Sequence, residues 1–233
     1  MIKIIVIGPE QSGSTRLYNL IVFACQILKL NVKYGWDVNL NNIKENYDVI
    51  ISKLHESSEH KLNSFDLVLL PLRDMRDSYI STLKRNTNKK DYIYFIKKNI
   101  KIFESVKKVN NILFIYENYN LNYIDNLLKK INLKLDLNDI FKIMIKLDNL
   151  HISKEIPKND LSKDKWESDI YCKTLLSQSH NTSGGKIGKY LEDFDKNKND
   201  IILKDDIIYN FLNDYDYLDL EFKLRLIKSN LYL

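Results

Sequence analysis

Long apolar runs are missing from this sequence. No stretch approaches the ~20 consecutive apolar residues that a membrane helix needs, and the first run, Ile2 to Ile7, is also too short for a signal segment. Cysteine is scarce: Cys25 and Cys172 lie on apolar or mixed stretches without a partner pattern. That argues against a structural disulfide or a metal site, and for a reducing, cytoplasmic setting. No tandem repeat occurs, and no Pro-, Gly- or Ser-rich linker divides the chain. A single domain over residues 1–233 is therefore expected, a length within the range of one α/β domain. An acidic, asparagine-rich stretch at 193–217 lacks the glycine and terminal glutamate of a calcium loop, so it reads as an exposed helical or loop region. The net charge of +5 suits an anionic ligand but does not by itself point to nucleic acid.

What is present is concentrated at the start. The β-branched run Ile2 to Ile7 reads as a buried strand, broken by Gly8 and Pro9. Gly13 allows close backbone approach at the loop tip, and Leu17, Leu20, Ile21, Ala24, Ile27 and Leu28 then recur at helical spacing. Strand, glycine-punctuated loop and hydroxyl-rich helix start together form an anion site, because loop amides and the positive end of the helix dipole point at one place. The loop nearly fits the nucleotide pattern G-x-x-x-x-G-K-[ST], with Gly8, Gly13 and Thr15 in register. Ser14 stands where the lysine belongs. That lysine neutralises the β- and γ-phosphates in phosphoryl transfer, so a P-loop small-molecule kinase is the weaker alternative.

Further along, strands are expected at 47–53, 66–72 and 111–116, with a short one at 31–34. Helices are expected after Arg73 (carrying Tyr79, Ile80 and Leu83), over 91–108 and at 121–131 and 136–147. Strands alternating with helices imply a central parallel sheet flanked by helices. Ligands of such sheets sit beyond the carboxyl ends of the strands. Those ends carry the loop at 8–15, then Lys53-Leu54-His55-Glu56, then Arg73 to Arg76, then Tyr116-Glu117.

Four of these pieces, taken in order, resemble the sulfotransferases that use 3′-phosphoadenosine 5′-phosphosulfate (PAPS). Gln11-Ser-Gly-Ser-Thr-Arg-Leu17 is similar to their 5′-phosphosulfate loop, and Lys53-Leu-His55 to their K-[TS]-H. Arg73-Asp-Met-Arg-Asp-Ser-Tyr-Ile-Ser81 resembles the 3′-phosphate motif, and His180 to Tyr190 the late glycine-rich loop. Tyr116-Glu117 matches a pair that commonly ends a strand in the family. The resemblance covers residues 1–195 and implies a P-loop-like sulfotransferase architecture, with 196–233 as a C-terminal helical extension.

The roles it implies are specific. Gln11, Ser12, Gly13, Ser14 and Thr15 would hold the 5′-phosphate of PAPS or of its desulfonated product, 3′-phosphoadenosine 5′-phosphate (PAP). Arg73 and Ser81 would bind the 3′-phosphate, with Gly185, Lys186 and Gly188 closing over it. Arg76 would help there or face solvent. His55 is the expected general base, its ordinary pKa near 6.5 suiting proton removal from a hydroxyl or amine acceptor. Glu56 is the reserve base, and Lys53, on the same side of its strand as His55, would stabilise charge on the transferred or departing group. The acceptor would be a small molecule, a carbohydrate or a peptide, with Trp36, Trp166 and the segment 151–175 as candidate contacts.

The sequence departs from the family at Gln11, where a lysine or arginine is usual. A glutamine hydrogen bond lacks the charge assistance that roughly doubles such a bond's strength. Lys53 or Arg16 would have to compensate. The alternative is a sulfotransferase-like nucleotide-binding protein with weak or no catalysis.

Overall fold

A computed structural model describes residues 1–43, 46–83, 91–150, 187–193 and 196–230. Its centre is five parallel strands: β1 (Ile2–Ile7), β2 (Val32–Trp36), β3 (Val49–Leu54), β4 (Leu67–Leu72) and β5 (Ile112–Ile115). They lie in the order β2-β3-β1-β4-β5. The inner strand β1 reads as an almost unbroken Ile/Val run, and β3 opens as one before Ser52 and Lys53, because both faces of these strands are covered.

The faces separate residue by residue. On one, Ile4 and Val6 meet α1 (Ser14–Ile27), α5 (Leu121–Lys130) and α6 (Leu137–Leu150) through Leu17, Ile21, Leu127 and Ile143. On the other, Ile5 and Ile7 share a core with α3 (Met75–Leu83) and α4 (Tyr92–Lys107) through Met75, Ile80, Ile96 and Phe103. The short helix α2 (Glu59–Leu62) adds Leu62 to this second core. The helix after β1 and the helix after β4 therefore lie on opposite faces. That makes the β1/β4 boundary the switch point where a crevice opens beyond the strand ends. Pro71 helps to open it. Pairing of β1 with β4 stops at Val6↔Leu69, just short of Pro71, which has no N–H to give. There Gly8 passes so close that a Cβ would stand 3.0 Å from the Pro71 carbonyl oxygen.

The stretch 193–217 departs from expectation. Its described part is helical, over Lys196–Leu203 and Asp206–Asp214, but it is not simply exposed. Ile202, Ile208, Phe211, Leu212 and Tyr217 are buried in the second core. Phe211 and Tyr215 set their rings against Phe103 of α4 at 5.5 and 5.2 Å. Asp205 caps the second of these helices, accepting from the Ile208 amide. The last helix, Tyr217–Asn230, docks on the same face. The described segments form one domain around one sheet.

Candidate functional site

The loop from β1 to α1 holds an unusual backbone. Gln11 (φ 63°) and Gly13 (φ 88°) both adopt the left-handed conformation, with Ser12 between them. Gly13 accepts this freely, whereas Gln11 carries a Cβ and does so at a cost. Ser12 is fully buried, and its Oγ has no hydrogen-bond partner. Gly13 is the N-cap of α1 and offers no side-chain cap. Ser14 is buried and Thr15 half-buried in the first turn. An orphaned hydroxyl and an uncapped helix start, wound around successive backbone amides, fit a phosphate group.

Lys53 and His55 stand beside this loop because β3 pairs with β1, Val6↔Lys53 and Ile7↔Leu54. His55 Nδ1 lies 3.2 Å from the Gly8 carbonyl oxygen. A carbonyl only accepts, so Nδ1 carries the proton and the imidazole lone pair falls on Nε2. Trp36, at the end of β2, contacts both side chains. Its indole meets the His55 ring edge-on at 5.3 Å and lies 4.8 Å from Lys53 Nζ. The register Trp36↔Lys53 explains the contact. Lys53 is only 3 % exposed, whereas Trp36 is 42 % exposed, so the indole faces solvent beside the histidine. Glu56 is exposed.

After β4, Arg73 Nη1 donates to Ser81 Oγ at 3.3 Å, joining residues eight apart across two turns of α3. Both are buried. The Arg73 guanidinium lies over the Tyr116 ring at 4.9 Å. Tyr116 also lies against the loop tip, since a Cβ on Gly13 would be 2.4 Å from its Cδ2. One ring thus touches both phosphate-type motifs. The sequence marked Tyr116 only as a strand-end residue; the glycine at 13 is the mark of its close approach.

Arg76 corrects the expectation. It neither reaches the site nor faces solvent: its side chain is completely buried. It pairs with Asp74 at 2.7 Å and Glu221 at 2.5 Å and stacks over the Tyr190 ring at 3.8 Å. Arg16, at the start of α1, is taken up by side-chain partners of its own. It donates to Tyr116 Oη at 3.3 Å, pairs with Asp148 of α6 and lies over the Tyr119 ring. Its charge is therefore committed elsewhere, which leaves Lys53 as the basic side chain described beside Gln11's loop that the sequence singled out.

A half-buried carboxylate, Glu117, and a buried one, Asp77, complete the surroundings. Glu117 accepts from the Asp74 amide at 2.9 Å and from Tyr217 Oη at 3.1 Å. Burial pushes it up to about 7, with Asp74 adding to the shift. Asp77 accepts from the Gly188 amide at 2.7 Å and the Tyr190 amide at 3.0 Å. Gly188 is thus fixed against α3, at φ 73°. Gly185, Lys186, Trp166, Cys172 and the segment 151–175 lie outside the described residues. Cys25 is buried and its thiol is pushed up to about 12, so it is chemically quiet. Among the described residues no group of three or more His, Cys, Asp or Glu side chains is placed to hold a metal ion. No described helix is long and apolar enough to cross a membrane.

No protein-family model matches the sequence, and no curated protein matches it. Solved structures do. The chain is similar to mouse sulfotransferase SULT7A1 complexed with PAP, at 11 % identity and a TM-score of 0.67, over 95 % of this chain and 88 % of that one. It is also similar to retinol dehydratase in complex with androsterone and inactive cofactor PAP, at 14 % identity and a TM-score of 0.62, over 91 % and 81 % of the two chains. At such identities the likeness shows the fold. The chain has the P-loop-like α/β fold of the sulfotransferases.

Proposed function

We propose that the protein is a sulfotransferase that uses PAPS as sulfuryl donor to a hydroxyl or amine acceptor. The observation that carries this reading is the Arg73–Ser81 pair, bonded at 3.3 Å and joined to the loop tip through Tyr116. A second phosphate-type site beside a first is what a nucleotide phosphorylated at both 3′ and 5′ positions requires. Neighbours of the same fold that hold PAP support the same donor.

PAPS supplies the sulfuryl group; the rest of the chemistry falls to the chain. The orphaned Ser12 Oγ, Ser14, Thr15 and the amides from Ser12 to Thr15 hold the 5′-phosphate, and Arg73 and Ser81 the 3′-phosphate. His55 takes the acceptor proton at Nε2, while the Gly8 carbonyl holds Nδ1–H and so the tautomer. Lys53 stabilises negative charge that develops beside it. Its burial makes that charge count for more than it would in water.

Calorimetry with PAP and 5′-AMP tests the reading. Tighter binding of PAP is expected; equal binding of the two would remove Arg73 and Ser81 from the nucleotide site. Gln11 motivates a second reading, a nucleotide-binding protein of the same fold with little turnover. Its neutral side chain supplies no cation at the loop, and Arg16 is engaged by Asp148. Sulfuryl transfer by wild type and Gln11→Lys across a broad acceptor panel separates the two. Turnover by the lysine variant alone would favour the second.

A further inference from the structure

Resting on the nucleotide site proposed above, we infer that Asp77 is the positioning residue that gives this site its preference for a 3′-phosphate. It aligns Arg73 and fastens the 188–190 backbone against it. The Asp77 side chain is wholly shielded from solvent. Its Oδ2 accepts from the Gly188 amide at 2.7 Å and lies 3.8 Å from Arg73 Nη2. Its Oδ1 accepts from the Tyr190 amide at 3.0 Å. Arg73 in turn places Nη1 on Ser81 Oγ. One carboxylate therefore orients the arginine of the proposed 3′-phosphate site from one side and holds a remote stretch of backbone from the other.

The placement is not that of a helix cap. Asp77 stands in the first turn of α3, but its oxygens go to amides more than a hundred residues away rather than to α3 itself. The backbone it holds is specially shaped. Gly188 has φ 73°, and a Cβ there would meet Leu224 Cδ1 at 2.6 Å. Burial and Asp74 push the carboxyl up to about 6, against the pull of Arg73 and the two amides. Both of its oxygens accept an amide N–H while Oδ2 also faces the Arg73 guanidinium, the arrangement of a carboxylate.

The isosteric change Asp77→Asn tests this. An amide cannot accept at its nitrogen, so one of the two N–H groups loses its partner, and the charge facing Arg73 disappears. PAP affinity should fall about tenfold or more, the scale of a lost bond to a charged group. Affinity for 5′-AMP should change by less than about twofold, so the ratio of the two affinities collapses. A purely structural role would weaken both alike or neither, and either result overturns the proposal. A measurement on wild type covers the case in which the variant does not fold. Hydrogen exchange at the Gly188 and Tyr190 amides should slow more with saturating PAP than with 5′-AMP; equal protection overturns the coupling. If wild-type protein itself shows no preference for PAP, the sulfotransferase reading fails and takes this inference with it. If wild type prefers PAP and Asp77→Asn keeps that preference, only the role of Asp77 falls.

Discussion

Gly13 and Tyr116 touch so closely that the smallest side chain at position 13 would collide with the ring, at 2.4 Å from Cδ2. Position 13 is also left-handed, at φ 88°. Gly13→Ala should therefore cost about 1–3 kcal/mol from backbone strain alone, with the ring displacement added. Urea denaturation reads the stability, and calorimetry should show PAP binding lost. Because Tyr116 also lies under Arg73, the damage should spread from the loop to the 3′ side.

His55 is the residue whose removal should separate binding from chemistry. It contacts the Gly8 carbonyl and Trp36 at the carboxyl edge of the sheet. His55→Ala should lower transfer about 10²–10⁴-fold, the usual worth of a positioned base. PAP affinity should hold within about twofold. A variant that binds PAP normally and still turns over at the wild-type rate would hand the role to another group.

The pH dependence of stability follows from Glu117. Its folded value of about 7 lies above its ordinary 4.5, so the folded state holds this proton more tightly than the unfolded chain does. The contribution is complete below about 4.5 and is lost as pH rises through about 7. Glu117→Gln keeps an acceptor for the Asp74 amide and removes the titration. Relative to wild type, the variant's melting temperature should gain between pH 5 and 8, while Asp77, raised in the same direction, still slopes both curves. A constant difference across that range would show that Glu117 does not titrate there.

Arg76→Ala should be among the most damaging single changes. It leaves Asp74 and Glu221 buried without their shared cation and strips Tyr190 of its stacked guanidinium. Losing one partner of a buried pair costs about 3–5 kcal/mol, read as a shift of the denaturation midpoint. Destabilisation under about 1 kcal/mol would mean that the network is replaceable by water.

The local chemistry was readable in the sequence because it rests on short-range rules. The Ile2 to Ile7 run, the glycine at 13 and the Arg73 to Ser81 spacing each specify geometry within a few residues. Parallel pairing then brings Lys53 and His55 to the loop. What the sequence hid is long-range pairing. Nothing near Arg76 signals that its partner is Glu221, and nothing near Tyr116 signals the ring's double contact. The acidic composition around Ile208 and Phe211 hides a buried face, because Asp206, Asn210, Asn213 and Asp214 lie on the exposed side of the same helix. The sequence offers Trp36 only as a candidate acceptor contact; its grip on Lys53 and His55 depends on the β2–β3 register.

The Arg76–Glu221 pair ties the first turn of α3 to a helix far along the chain. The two residues are 145 positions apart. As the chain leaves the ribosome, the start of α3 emerges with its cation and must wait for 145 further residues before Glu221 arrives. Contacts this distant in sequence slow folding, because loop closure precedes any gain. A nascent or truncated chain ending before Tyr217 would lack both Tyr217 and Glu221 and leave the base of the proposed 3′-phosphate site unbraced. Recognition at the proposed nucleotide site should therefore depend on the helix that carries Glu221 as well as on the N-terminal motifs.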